Sequence, residues 1–231
     1  IRRGVSYICQ SAFNGNKHAS FLVGYLFHEG KYMKKNITNA IRYYKESSSF
    51  NNEYSKNNLG IIYKNGFGEE IRPNLGLAIE YFKEAINQKN DIIAMYNLAH
   101  IYFFNDHIKE EFDPIELLIR SSNKGFEESL TLLCIVLFNK YGYDIEKIDQ
   151  QLNEIEIDKK NEINTLICEF IDNKSSYEAL YQQYRNIDFL YNILLRPIKS
   201  NEIFKKEEKT DVNRTAKEIT SIFYEGFGFD I

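Results

Sequence analysis

The stretch "GIIYKNGFGEE", residues 60–70, sets three glycines within nine residues, between an apolar run and two acids. Two physical readings compete for such a loop. Its backbone N–H groups cradle a phosphate, as in a strand–loop–helix unit, or its glycines end one helix and begin the turn to the next. The flanking residues discriminate. No Lys-Ser/Thr pair follows the glycines and no strand pattern precedes them, so the phosphate reading fails.

The stretch has counterparts along the chain. "ASFLVGYLFHEG" (19–30), "SKNNLGIIYKNG" (55–66), "AMYNLAHIYFFN" (94–105) and "SLTLLCIVLFNK" (129–140) align without gaps. Each opens on a small residue (Ala19, Ser55, Ala94, Ser129), and the openings are 36, 39 and 35 residues apart. An apolar residue follows four places on (Val23, Leu59, Leu98, Leu133), then a small one (Gly24, Gly60, Ala99, Cys134), then a large one (Phe27, Tyr63, Tyr102, Leu137). A second block, "AIRYYKESS" (40–48), "AIEYFKEAI" (78–86) and "PIELLIRSS" (114–122), follows each of the first three, and "GVSYICQSA" (4–12) fits the same frame. Its fourth and fifth places are large (Tyr7/Ile8, Tyr43/Tyr44, Tyr81/Phe82, Leu117/Leu118) and its eighth is small (Ser11, Ser47, Ala85, Ser121).

Spacings of three and four put these residues on one helical stripe. Small residues admit a neighbouring backbone and large ones fill the groove beside it. Each unit is therefore a pair of antiparallel helices, A and B, which buries its apolar face only by stacking on further pairs. Gly30 and Gly66 fall where a left-handed residue ends helix A, with Asn105 in that place in the third unit. Asn36, Asn74 and Asp113-Pro114 mark the starts of the B helices.

The two anchored blocks, recurring in order, resemble the Sel-like repeat, a relative of the tetratricopeptide repeat. The resemblance is clearest over 18–90 and looser over 91–140, where Ala99, Asn105 and Pro114 replace the expected Gly, Gly and Ala. It implies an all-α, right-handed superhelical solenoid of antiparallel helix pairs. The expected organisation is a half repeat at 1–15, repeats at about 16–51, 52–90 and 91–125, and a partial one at 126–142. Beyond 143 the pattern changes. "DIEKIDQQLNEIEI" (144–157), "EINTLICEFI" (162–171) and "SSYEALYQQYRNIDFLYNILLRP" (175–197), the last opened by Ser175 or Ser176, read as helices of a C-terminal cap over 143–197. A charged linker (198–213) precedes an amphipathic helix and tail (214–231), whose Phe223, Phe227, Phe229 and Ile231 must dock either on this chain or on a partner.

Composition narrows function by exclusion. A net charge of −4 is unlike the basic face of a general nucleic-acid binder. No apolar run reaches the ~18 residues that span a membrane, and no signal-peptide pattern opens the sequence. Cys9, Cys134 and Cys168 sit in apolar runs and read as buried reduced thiols. His18, His28, His100 and His107 have no metal-ligand spacing, and no nucleophile motif occurs, so neither a cofactor nor a catalytic constellation is expected.

What remains is a surface. By its resemblance to tetratricopeptide arrays, helix A should line a concave face. Off the packing stripe, that face would carry His18, Phe21, Tyr25 and His28, then Tyr54, Asn57, Ile61 and Lys64, then Ile93, Tyr96, His100 and Phe103. Aromatic residues with polar tips are frequent interface anchors. The expected function is a non-catalytic scaffold or adaptor in the cytoplasm, binding a peptide or subunit of a protein partner on that face. The alternatives are a structural subunit held permanently in a large assembly and, disfavoured by the acidic charge, an RNA-binding helical array.

Overall fold

The structure, a computed structural model, describes residues 2–30, 32–49, 52–109 and 111–186. Across them the chain forms eleven α-helices and no strand. The alignment above maps onto these elements. Helices α2 (Lys17–Glu29), α4 (Glu53–Asn65), α6 (Ile92–Phe104) and α8 (Glu128–Tyr141) are the A helices. Helices α1 (Arg2–Phe13), α3 (Ile37–Ser48), α5 (Leu75–Lys89) and α7 (Pro114–Asn123) are the B helices. After them come α9 (Ile145–Gln151), α10 (Ile157–Asp172) and α11 (Lys174–Arg185). The expected linker and the tail with Phe223, Phe227, Phe229 and Ile231 lie outside the described residues.

The loop that opened the sequence reading is a helix end. Gly30 and Gly66 have φ of 74° and 70°, the left-handed geometry in which a side chain is strained. Their N–H groups donate to Leu26 and Ile62 carbonyls at 3.0 and 2.8 Å, closing the last turn of α2 and α4. Past Gly66, Phe67 and Ile71 exchange backbone hydrogen bonds of 2.7 and 3.2 Å. The Asn36 and Asn74 N–H groups then reach back to the carbonyls of Phe27 and Tyr63. Both side chains cap the next helix, accepting from Asn39 N–H at 2.8 Å and Leu77 N–H at 3.0 Å. Asp113 caps α7 in the same way, accepting from Ile115 N–H ahead of a first-turn proline.

Asn105 departs from expectation. Its φ is −135°, not left-handed. Its side-chain amide donates instead to the Ile101 carbonyl at 2.8 Å. A polar side chain thus fills the role that backbone N–H plays after glycine.

By its contacts the described chain divides into two compact units. One comprises the residues up to Leu59 together with 67–71, and the other comprises 60–66 and the described residues from 72 onward. The division falls within α4.

The first unit packs α1 on α2 and α2 on α3. Gly24 explains how close α2 and α3 come: a Cβ there would lie 2.8 Å from Tyr44 Cδ1. Phe27 and Tyr43 stack beside this crossing, with centroids 5.8 Å apart and planes at 15°. The second unit repeats the arrangement. A Cβ on Gly60 would lie 2.5 Å from Phe82 Cε1, and Tyr63 stacks on Tyr81 at 5.8 Å and 3°. The third pair carries Ala99 and Leu118 in these places, both fully buried. A larger small residue is thus matched by a smaller large one, as close packing requires.

The eighth-place serines have a further task. Ser47 Oγ donates to the Lys17 carbonyl and Ser121 Oγ to the Ile92 carbonyl, each at 2.7 Å. Those carbonyls lie at the starts of A helices, so one small hydroxyl ties the end of α3, and another the end of α7, to its partner. In the second unit the A helices are enclosed on most sides: α6 buries ten of its thirteen residues. The three cysteines are free thiols, but only Cys134 is buried. Cys9 is half-buried and Cys168 is exposed on α10, because the stripe that α10 buries runs through Ile163, Ile167 and Phe170 instead.

Candidate interaction surface

Eight of the twelve residues assigned to the helix-A face are buried: Phe21, His28, Asn57, Ile61, Lys64, Ile93, Tyr96 and His100. His18, Tyr25, Tyr54 and Phe103 are half-buried and reach solvent. Helical spacing assigned one stripe of each A helix to packing and left the rest to solvent. An A helix flanked by neighbours on several sides buries the rest as well.

In the first unit, Phe21 packs on Tyr44 and Tyr54 with centroids 5.8 and 6.0 Å apart. Tyr44 organises the polar part of this interior. Its hydroxyl accepts from Asn58 Nδ2 at 3.2 Å and lies 3.4 Å from His28 Nδ1. Burial, with a smaller contribution from the Lys35 charge, lowers the His28 pKa to about 3. The ring is therefore neutral at physiological pH, and Nδ1 serves as acceptor or donor according to tautomer.

In the second unit, a polar cluster lies beneath α11. Lys64 is buried, and its ammonium has Asn97 Oδ1 as an acceptor at 3.3 Å. Burial brings its pKa down to about 7. His100, also on α6, donates from Nε2 to the Tyr184 carbonyl at 2.7 Å. Burial first, then the nearby Lys64 charge, holds His100 well below the usual imidazole range. Its Nδ1 and the Tyr96 hydroxyl are buried with no hydrogen-bond partner among the described residues.

Above this cluster lies an aromatic layer. Phe103 meets Phe104 and Tyr181 with centroids 4.7 and 6.1 Å apart, and Tyr181 also meets Phe104 at 5.4 Å. The sequence reading missed Asn58, Asn97, Phe104, Tyr181 and Tyr184. A signal for the last two was present, since Tyr177, Tyr181 and Tyr184 are spaced as i, i+4 and i+7. Among the described residues, no three His, Cys, Asp or Glu side chains gather as metal ligands do. No described helix is long and apolar enough to cross a membrane.

Residues 17–49, 54–90 and 92–107 match the Sel1 repeat model. These three segments carry the Sel1 repeat pattern. The matched segments open at or beside the starts of α2, α4 and α6, and the third stops at 107, within the region where the repeat pattern loosens. Two solved structures share the fold. A Sel1 repeat protein from Oxalobacter formigenes aligns at 18% identity over 65% of this chain and 62% of its own, with a TM-score of 0.53. A protective antigen of uropathogenic Escherichia coli strains, displaying an SLR fold, aligns at 19% identity over 94% of this chain and 47% of its own, with a TM-score of 0.57. This chain thus spans less than two thirds of either protein. At these identities the likeness speaks for the fold alone. No curated protein matches the sequence.

Proposed function

We propose that this Sel1-repeat chain is a protein-interaction module that holds a partner peptide or subunit on its helix-A faces, without catalysing a reaction. The observation that carries the reading is the character of those faces. In the second unit they combine aromatic rings with Lys64, Asn97 and His100, which are buried beneath α11, whereas the B helix α5 buries only Ala78, Phe82, Ala85 and Ile86. A repeat array is held together mainly by packing between neighbouring repeats. Polar and aromatic side chains at its inner face are the composition of a recognition surface. Sel1 repeats commonly serve as scaffolds for protein assembly, which agrees with this reading. In the first unit the half-buried His18, Tyr25 and Tyr54 are the side chains a partner would reach.

The test is affinity purification of the tagged protein from its native cells, beside a His18→Ala/Tyr25→Ala variant with unchanged circular dichroism and melting. A partner lost with the folded variant, and rebound by purified wild-type protein only, supports the module. Partners retained in full by the variant refute a helix-A site in the first unit and favour a subunit held through other faces.

A further inference from the structure

We infer that the helix-A face of α6 and α8 is a groove for one amphipathic helix bearing aromatic residues at i, i+4 and i+7, and that α11 occupies it as an internal stand-in which a partner helix of that pattern displaces. The inference rests on the interaction-module reading and names the kind of partner.

Three observations support it. First, α11 packs on the rest of the second unit along one face, through Tyr177, Leu180, Tyr181 and Tyr184. Tyr177 packs on Phe138 and Phe170, with centroids at 4.8 and 5.4 Å, and its hydroxyl accepts from Asn139 Nδ2 at 3.2 Å. Tyr181 lies on Phe103 and Phe104, and the Tyr184 carbonyl accepts a hydrogen bond from His100 Nε2. These three positions lie seven residues from end to end and share one face of a helix.

Second, the helix is lightly held. Tyr184 is its one buried residue, whereas the preceding α10 buries Ile163, Ile167 and Phe170. Only Asn173 separates the two helices, and it caps α11 by accepting from Ser175 N–H. Rotation at this residue frees α11 without moving α10. An isolated helix of twelve residues is marginal in water, so detachment and unwinding proceed together.

Third, the ground beneath α11 is not built as a permanent interior. Among the described residues, His100 Nδ1 and the Tyr96 hydroxyl have no hydrogen-bond partner there, and Lys64 has a long bond to an amide. Buried polar groups are ordinarily satisfied. These groups find partners when water, or polar atoms of another helix, replaces α11. The occupied state is thus weakened at the contact a competitor has to replace.

The probe is a fluorescein-labelled synthetic peptide of residues 173–186, added to the full chain and followed by anisotropy. A variant carrying Ala179→Gly and Gln183→Gly alters α11 at two exposed positions and leaves the groove intact. Lower helix propensity should release the strap about tenfold more often. The apparent affinity for the added peptide then tightens about tenfold, because less protein is occupied internally. Adding Phe103→Ala to that background should abolish the gain. Hydrogen exchange of the wild-type chain gives the second reading, with α11 amides expected to exchange at least tenfold faster than those of α6. Equal peptide affinity for the wild-type and glycine variants overturns the inference, as does α11 exchanging only together with α6. The His18/Tyr25 experiment is independent of these outcomes, so the general module and this particular groove can fail separately.

Discussion

Gly60→Ala tests whether the close helix crossing, rather than helix propensity, governs the repeat. In an exposed helix interior this substitution stabilises by roughly 0.5–1 kcal/mol, because glycine loses more backbone freedom on folding. At Gly60 the new methyl would lie 2.5, 2.7 and 2.8 Å from three carbons of the Phe82 ring. Ordinary carbon–carbon contact begins near ~3.5 Å, so ring and helix must separate by almost an ångström. Phe82 is fully buried, so its ring cannot swing out into solvent. Overpacking a filled core costs roughly 1–3 kcal/mol, which outweighs the propensity gain. The expected net effect is a loss of about 1–2 kcal/mol. Phe82→Leu makes room for the methyl, as Leu118 accompanies Ala99 in the third pair. The double variant should therefore be more stable than the sum of its parts by about 1 kcal/mol or more. Urea unfolding of the four proteins at constant m-value measures this. Gly76→Ala is the control, since Gly76 is exposed on α5 and a Cβ there would lie 3.4 Å from Asn74 Oδ1, an ordinary contact. It should stabilise. Additive effects at Gly60 and Phe82, or stabilisation by Gly60→Ala alone, would refute the reasoning.

Three further outcomes are expected. The folded state lowers the His28 pKa from 6.5 to about 3, so the unfolded chain binds more protons below pH 6.5. Stability should fall as pH drops from 6.5 toward 3, by at most about 5 kcal/mol, and His28→Gln should flatten that limb in denaturant titrations. Lys64 has its pKa lowered from 10.5 to about 7, so its burial is penalised most below pH 7 and stability should rise as pH climbs toward 10.5. Lys64→Met should remove this rise, and an unchanged slope would show that the amine stays hydrated. Asn74→Ala removes the cap of α5 and should cost about 1 kcal/mol, read as a lower melting temperature.

The twofold pattern of small and large residues was sufficient to define helix pairs, their order and their turns. Those features are local. A left-handed glycine, an asparagine cap and a stripe at spacings of three and four act within a few residues, so sequence carries them directly. The equivalence of Gly60 with Ala99, and of Phe82 with Leu118, was also written in the alignment, since each repeat must fill the same volume. Exposure was not. Phe21, Tyr96 and His100 lie off the stripe of their own helices, and periodicity alone leaves them to solvent. They are buried because tertiary neighbours cover the second side of each A helix. For α6 one of these is α11, which is more than seventy residues downstream. Likewise, nothing near Asn105 announces that its side chain, rather than its backbone, would close α6. Sequence by itself determined the helix pairs and their crossings, because these depend on residue size at short range. Tertiary structure alone decided which helix-A side chains remain available to a partner, because availability depends on what the rest of the chain lays over them.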